Sequence, residues 1–413
     1  MGTHHYNLSE QFEFTGKAKT LSIVGIVIGI LTIAYGLFFN HEHAHQMHER
    51  TYANLLLMGY YFACVCMSAT FFLAIQFVAQ AGWSASILRV PQAMAKNLPL
   101  AALILIVITG LGLYTHNLYH HWHAEGLTDP NSPNYDKIIA GKAVFLNVPF
   151  FMIRQVVFMG SYALFAHFVT KWSYNEDLTG GLTSYNKSFK YSCIFLVIYG
   201  FTTPIFAFDN IMSLEAHWFS TMFGWYNFAS MWVSTLAIIA IIIILLRKAG
   251  YMSWVNNSHL HNLGQFIFGF SIFWTYVWFA QFLLIYYANM SEETVYFHKR
   301  FNSYEFWFYL NIVLNFLTPL LLLMDRDNKR SENLLLTVAI IVVCGHWVDY
   351  YQMIMPGIFE FGAKDGSGFG ILELGIAAGF VGLFTFTVLS ALSKKPLVAK
   401  NHPFLQESLN HHL

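Results

Sequence analysis

Charge is scarce in this sequence. Asp, Glu, Lys and Arg make up 11% of its 413 residues, against about 25% in ordinary soluble domains. A soluble globular domain of this size is therefore excluded. The charge that is present balances, 22 basic residues against 22 acidic, and leaves no basic footprint for nucleic acid. Cysteine is also sparse. Cys64, Cys66, Cys193 and Cys344 all fall in apolar stretches and form no metal-ligand spacing. An iron–sulfur cluster commonly takes about four thiolates at suitable spacing, so none is expected on this chain. A cleavable signal peptide is not expected either, because the polar first 17 residues lead straight into a full-length apolar span.

What is abundant is apolar. Hydrophobic residues make up 56% of the chain, with 40 Phe, 23 Tyr and 11 Trp suited to lipid-facing surface and interfacial belts. Apolar runs recur at roughly 18–39, 53–80, 98–117, 143–171, 190–209, 221–246, 259–288, 304–324, 333–354 and 370–391. Each is near or above the ~20 residues that cross a bilayer. Backbone amides in lipid must be satisfied within their own segment, so these runs are expected to be helices. The expected fold class is an all-α integral membrane protein of about ten spans. Pro99, Pro149, Pro204 and Pro319 fall in or beside spans, where neighbouring helices tolerate a kink. Fifteen of the 22 basic residues lie in the tails and even-numbered loops, and six, among them Lys364, on the other side. The positive-inside rule then places both termini in the cytoplasm. No linker, low-complexity segment or internal repeat marks a second domain.

An ionisable group within the hydrocarbon costs at least ~2.5–3.5 kcal/mol on insertion scales, so it normally has a partner or a role. Arg154, about 11 residues into the fourth run, is expected roughly 16 Å deep at 1.5 Å per residue. It is read as part of a ligand or proton site, with a structural ion pair as the alternative. Lys142 and Asn147 are read as preceding it on the same helix. Asp209 ends the fifth span, and Glu215 and His217 follow in the loop AFDNIMSLEAHWFSTMFGWY. In GHWVDYYQMIMPG, His346 and Asp349 stand three residues apart and share a helix face. Glu373 opens the tenth span. Gln76, Gln155 and His167 are assigned to the inner half of the membrane. With Gln281, Asn311 and Asn315, they are read chiefly as helix–helix hydrogen-bond partners. The histidine clusters in 40–49 and 116–123 read as solvated outer loops. Haem is not expected, since only His346 lies well inside a span.

KAVFLNVPFFMIRQ (142–155), FDNIMSLEAHWFSTMFGWY (208–226), FWTYVWFAQFLLIYYANMSEETVYF (273–297) and HWVDYYQMIMPG (346–357) together resemble the polysulfide-reductase, or NrfD-type, superfamily of membrane subunits. Within it they look most like the large membrane subunits of bacterial alternative complex III, a quinol:cytochrome c oxidoreductase. The length resembles the shorter, ActF-type subunit. The resemblance implies two four-helix bundles, spans 2–5 (about 53–209) and 6–9 (about 221–354), with spans 1 and 10 peripheral. Cytoplasmic tails would run over 1–17 and 393–413. It implies partners as well: a larger homologous membrane subunit, a periplasmic iron–sulfur subunit, c-type cytochrome subunits and a terminal oxidase, in a bacterial inner membrane. Those subunits would carry the haem c and iron–sulfur clusters. The substrate implied is quinol, menaquinol included. Carried over by motif, Asp209, His217 and Asp349 become the proton-handling candidates. Lys142, Arg154, Glu215, His346 and Glu373 become candidates for a quinone site or proton path. Whether this subunit itself turns over quinol stays open, and a secondary transporter or a structural anchor stand as rivals.

Overall fold

A helix that is apolar on every side has to be covered by protein or by lipid, and both solutions are used here. A computed structural model describes residues 6–39, 44–358 and 369–412. Ten of its helices are long and apolar enough to cross a bilayer, and the chain is a multi-pass, all-α membrane protein. They are α1 (Gly16–Phe38), α2 (His45–Val78), α3 (Arg89–Tyr114), α4 (Val148–Thr179), α5 (Leu182–Asn210), α6 (Met222–Lys248), α7 (Asn257–Ala288), α8 (Glu305–Leu323), α9 (Glu332–Ile358) and α10 (Ile371–Leu392). No β-strand element occurs among the described residues.

Helices α2 to α5 pack together as one bundle and α6 to α9 as a second. The bundles meet through α2, α5, α6 and α9. The central helices α2 and α6 are buried along most of their length, whereas α1, α4 and α5 present rows of exposed Leu, Ile, Val and Phe. Helices α1 and α10 lie outside both bundles and pack chiefly on each other. Glycine makes that possible. A Cβ on Gly29 would collide with the backbone of Gly379, and one on Gly382 with that of Ser22. Small residues of this kind let membrane helices approach backbone to backbone.

Two local features shape the interior. Pro319 has no N–H to give the preceding turn, and the chain answers with a wide π turn over Val313–Leu317. Thr318 Oγ1 then donates to the Val313 carbonyl at 2.9 Å. The turn leaves Asn311 and Asn315 both facing inward, with Asn315 Nδ2 donating to Asn311 Oδ1 at 2.6 Å. At the other end of the molecule the two tails meet. Gln11 and Pro396 form an antiparallel bridge, and Leu397 N donates to Glu10 O at 3.0 Å. Both tails thus share one side of the membrane, as an even number of spans requires.

The fourth span differs from the expectation. A short helix, Lys137–Lys142, ends before Asn147, whose side chain caps Val148–Thr179 by accepting from Phe150 N. Lys142 is therefore not on the helix of Arg154, and Asn147 is its cap. Arg154 lies in the second turn, roughly 9 Å in at 1.5 Å per residue, not at mid-membrane. Gln155 follows it at the same end of α4, opposite the end that meets the C-terminal tail.

Candidate functional site

The titratable groups singled out from the sequence divide into separate clusters, not one shared interior. The best built of these surrounds Asp349, which is fully buried in α9. All four helices of the second bundle reach it. Tyr226 Oη of α6 donates to Asp349 Oδ1, and Asn311 Nδ2 of α8 donates to the same oxygen at 2.8 Å. Ser230 Oγ of α6 and Trp274 Nε1 of α7 donate to Oδ2 at 2.6 and 2.9 Å. A carboxylate offers about four lone-pair positions, and these donors fill them. His346 lies on the same face, as its spacing predicts, with Nδ1 3.6 Å from Oδ2. Neither ring nitrogen has a hydrogen-bond partner among the described residues.

The cage distinguishes two kinds of donor. Trp274 and Asn311 present fixed N–H groups, but the hydroxyls of Tyr226 and Ser230 can rotate and become acceptors. Those two hydroxyls and the nearby His346 ring are therefore the neighbours of Asp349 able to accept a proton. Tyr226 and Asn311 also line a cavity of about 10 Å³, shared with Gln281, Tyr296, Arg300 and Gln352. That volume is about one water molecule.

One wall of that cavity is Arg300, on the helix Ser291–Ser303 that joins α7 to α8. It is 2% exposed. Its Nη1 donates to Tyr296 O at 2.7 Å and to Glu215 Oε1 at 3.1 Å, and its Nε donates to Gln352 O at 3.1 Å. The guanidinium carbon sits 3.3 Å from the Tyr296 ring centre. Glu215 and Tyr296 in turn line an outer pocket of about 360 Å³ with His121, His217 and Lys299. Tyr296 borders both cavities, so polar groups run from Asp349 to the surface of the second bundle.

Electrostatics on this rim follow from burial and pairing. His217 Nε2 is 2.6 Å from Asp136 Oδ2. That hydrogen bond, with the Ile138 and Ile139 amides, holds the Asp136 carboxyl below the usual range. Partial desolvation, with His120, Lys299 and His217 nearby, lowers His121 although its side chain stays exposed. Burial also lowers Lys142, whose Nζ donates to Ala216 O at 2.6 Å.

The remaining candidates lie elsewhere. Arg154 clasps Asp209 through two bonds, Nε to Oδ2 at 2.7 Å and Nη2 to Oδ1 at 2.8 Å. The guanidinium also lies between the Phe145 and Phe150 rings, 3.9 and 4.1 Å from their centres. This pair joins the outer ends of α4 and α5 in the first bundle. Glu373 accepts from Arg50 Nε at 2.8 Å, from Asn54 Nδ2 at 3.0 Å and from Gly370 N at 2.9 Å, which fastens α10 to α2. His167 is exposed. His41, His43 and Lys364 lie outside the described residues, and His45 is exposed beside Glu49.

Sequence reasoning missed Arg300, which was counted only as an outer-loop charge, and the donors Tyr226, Ser230 and Trp274. The spacing of Tyr226 and Ser230, one helical turn apart, was the only available signal. It also missed a stripe on α5, where Tyr185, Ser188, Ser192, Tyr199, Thr203 and Asn210 share the buried face. The Ser188 and Ser192 hydroxyls and both oxygens of Glu176 have no hydrogen-bond partner among the described residues. No group of three or more His, Cys, Asp and Glu side chains converges as metal ligands among the described residues. Comparison with family models and with curated proteins gives no match for this chain.

Proposed function

We propose that this chain is a membrane subunit of a respiratory quinol oxidoreductase, in which the second bundle takes up protons released by quinol oxidation. Partner subunits carry the electrons. The observation that supports this best is Asp349, a buried carboxylate caged by four helices and connected through hydroxyl groups and a water-sized cavity to an outer pocket. Intramembrane carboxylates mark substrate and ion pathways, proton relays or counter-ions, and rotatable hydroxyls beside a water-sized cavity fit the relay best.

Quinol oxidation gives up two electrons and two protons. The outer pocket, at about 360 Å³, is within the ~300–1,000 Å³ of small-molecule sites and takes the quinol headgroup. His217, oriented by Asp136, accepts a proton from the ring hydroxyl as a general base. The second proton passes by way of the Tyr296-lined cavity and the Tyr226 hydroxyl to Asp349, and leaves by the same groups to the pocket and the aqueous phase once the quinone has gone. Asp209, clasped by Arg154, lies off this route and holds the first bundle closed. With the basic residues inside, the pocket faces the periplasm of a bacterial inner membrane, where iron–sulfur and c-type cytochrome partners would accept the electrons.

The test is Asp349→Asn in the intact purified assembly, with menaquinol oxidation and proton release measured together. The expected result is a loss of about 100-fold in rate, the scale of one general acid–base group. Unchanged rate and unchanged proton release in that variant would discard the reading. So would purification of the chain without haem c or iron–sulfur partners, combined with solute uptake in vesicles.

A further inference from the structure

An apolar chamber that shares no lining residue with the two cavities near Asp349 lies between the α1–α10 pair and the bundles. It has a volume of about 400 Å³ and is walled by α2, α6, α9, α10, the start of α1 and Phe12 of the N-terminal tail. Apart from the hydroxyls of Tyr61 and Thr385 its lining is hydrocarbon, aromatic ring and one thioether. The Tyr61 hydroxyl is already spent on the Val343 carbonyl at 3.2 Å. Nothing in such a chamber binds a polar solute, and a headgroup with hydrogen-bonding needs would be stranded there.

Its depth identifies the occupant. On α6 the lining runs from Ile238 to Ala249, just past the end of the helix, and on α10 from Phe380 to Leu389. At 1.5 Å per residue the α6 wall is roughly 16 Å long, close to half of the ~30 Å hydrocarbon core of a bilayer. The chamber therefore reaches from the side bearing the two tails to mid-membrane, the extent of one lipid leaflet. At its mouth stand cations. Lys17 and Lys19 flank the lining residue Ala18 on the first turn of α1 and are exposed. Arg247 and Lys248 close α6 beside Ala249. Arg247 is paired with Glu332 at 3.0 Å, and Lys248 Nζ donates to Asn333 Oδ1 at 2.6 Å. Neither Lys17 nor Lys19 has an ion pair among the described residues. Basic groups at the membrane face beside an apolar cleft are what anionic headgroups recognise.

We propose that this chamber is a binding site for an anionic phospholipid of the tail-side leaflet, one acyl chain filling the cleft and the phosphate resting on Lys17 and Lys19. The lipid cements the α1–α10 pair to the two bundles across the chamber that separates them.

The experiment is native mass spectrometry of the full chain in its assembly after delipidation and reconstitution with phosphatidylglycerol or phosphatidylcholine. One retained phosphatidylglycerol, held at least fivefold over phosphatidylcholine, is expected. Ala249→Trp, which fills the mouth, should abolish retention. Lys17→Gln combined with Lys19→Gln leaves the cleft intact and should bring the two lipids to parity with the unfolding midpoint in detergent unchanged. Equal retention of both lipids by the unaltered chain would overturn the proposal. So would full phosphatidylglycerol preference in the Lys17→Gln/Lys19→Gln variant, which decides the matter even if Ala249→Trp fails to fold. Recovery of an isoprenoid quinone in place of phospholipid would overturn it as well.

Discussion

Removing either partner of the Arg154–Asp209 pair should cost far more than removing both. Asp209 is fully buried and Arg154 is 6% exposed, so each charge depends on the other. Arg154→Met leaves a desolvated carboxylate without a cation, and Asp209→Leu leaves a desolvated guanidinium, whose Nη1 has no hydrogen-bond partner among the described residues even in the native chain. Breaking a buried pair in this way costs about 3–5 kcal/mol, whereas replacing both members by apolar residues is often near neutral. Arg154 also donates to Phe145 O at 3.0 Å, so the arginine variant carries an extra loss that the aspartate variant does not. The Arg154→Met/Asp209→Leu double variant should retain that loss but recover the rest, so the coupling energy should approach the sum of the two buried-charge penalties. Unfolding in mixed detergent–SDS micelles, followed by helical circular dichroism, measures all four corners of the cycle. Additive single effects, with a coupling under about 0.5 kcal/mol, would refute the reasoning and show that the pair is not desolvated as a unit.

Other expectations test separate parts of the structure. Tyr226→Phe removes the hydroxyl between Asp349 and the water-sized cavity; it should cost about 1.5–3 kcal/mol, as a hydrogen bond to a charged group, and slow proton release more than Ser230→Ala does. The C-terminal tail provides a pH test, because burial, with Arg89 adding to it, lowers His402 from 6.5 to about 4. The unfolded chain takes up this proton first, so stability should fall as pH drops below about 6.5 and level off below about 4. The full effect is on the order of 3 kcal/mol. His402→Gln should flatten that part of a pH-dependent unfolding series. Gly29→Leu cannot be accommodated against Gly379 without parting α1 from α10; a loss of about 1–3 kcal/mol should appear in the same detergent unfolding assay while the Asp349 cage is left intact.

The ten spans and the shared face of His346 and Asp349 were legible from the sequence. Crossing a bilayer is a local criterion: about 20 apolar residues in a row suffice, and three-residue spacing on a helix is local geometry. Span ends were less secure where polar caps interrupt apolar runs, and Asn147 therefore displaced Arg154 by more than a turn. What only the tertiary structure decided is which charge meets which. Glu373 finds Arg50, Glu215 finds Arg300 and Asp209 finds Arg154 across 323, 85 and 55 residues. The four donors on Asp349 come from three other helices, and only Tyr226 and Ser230 are related by a helical period. Hydropathy reports only the cost of placing a residue in lipid. The compensation for that cost comes from neighbours distant in sequence, and packing alone selects them.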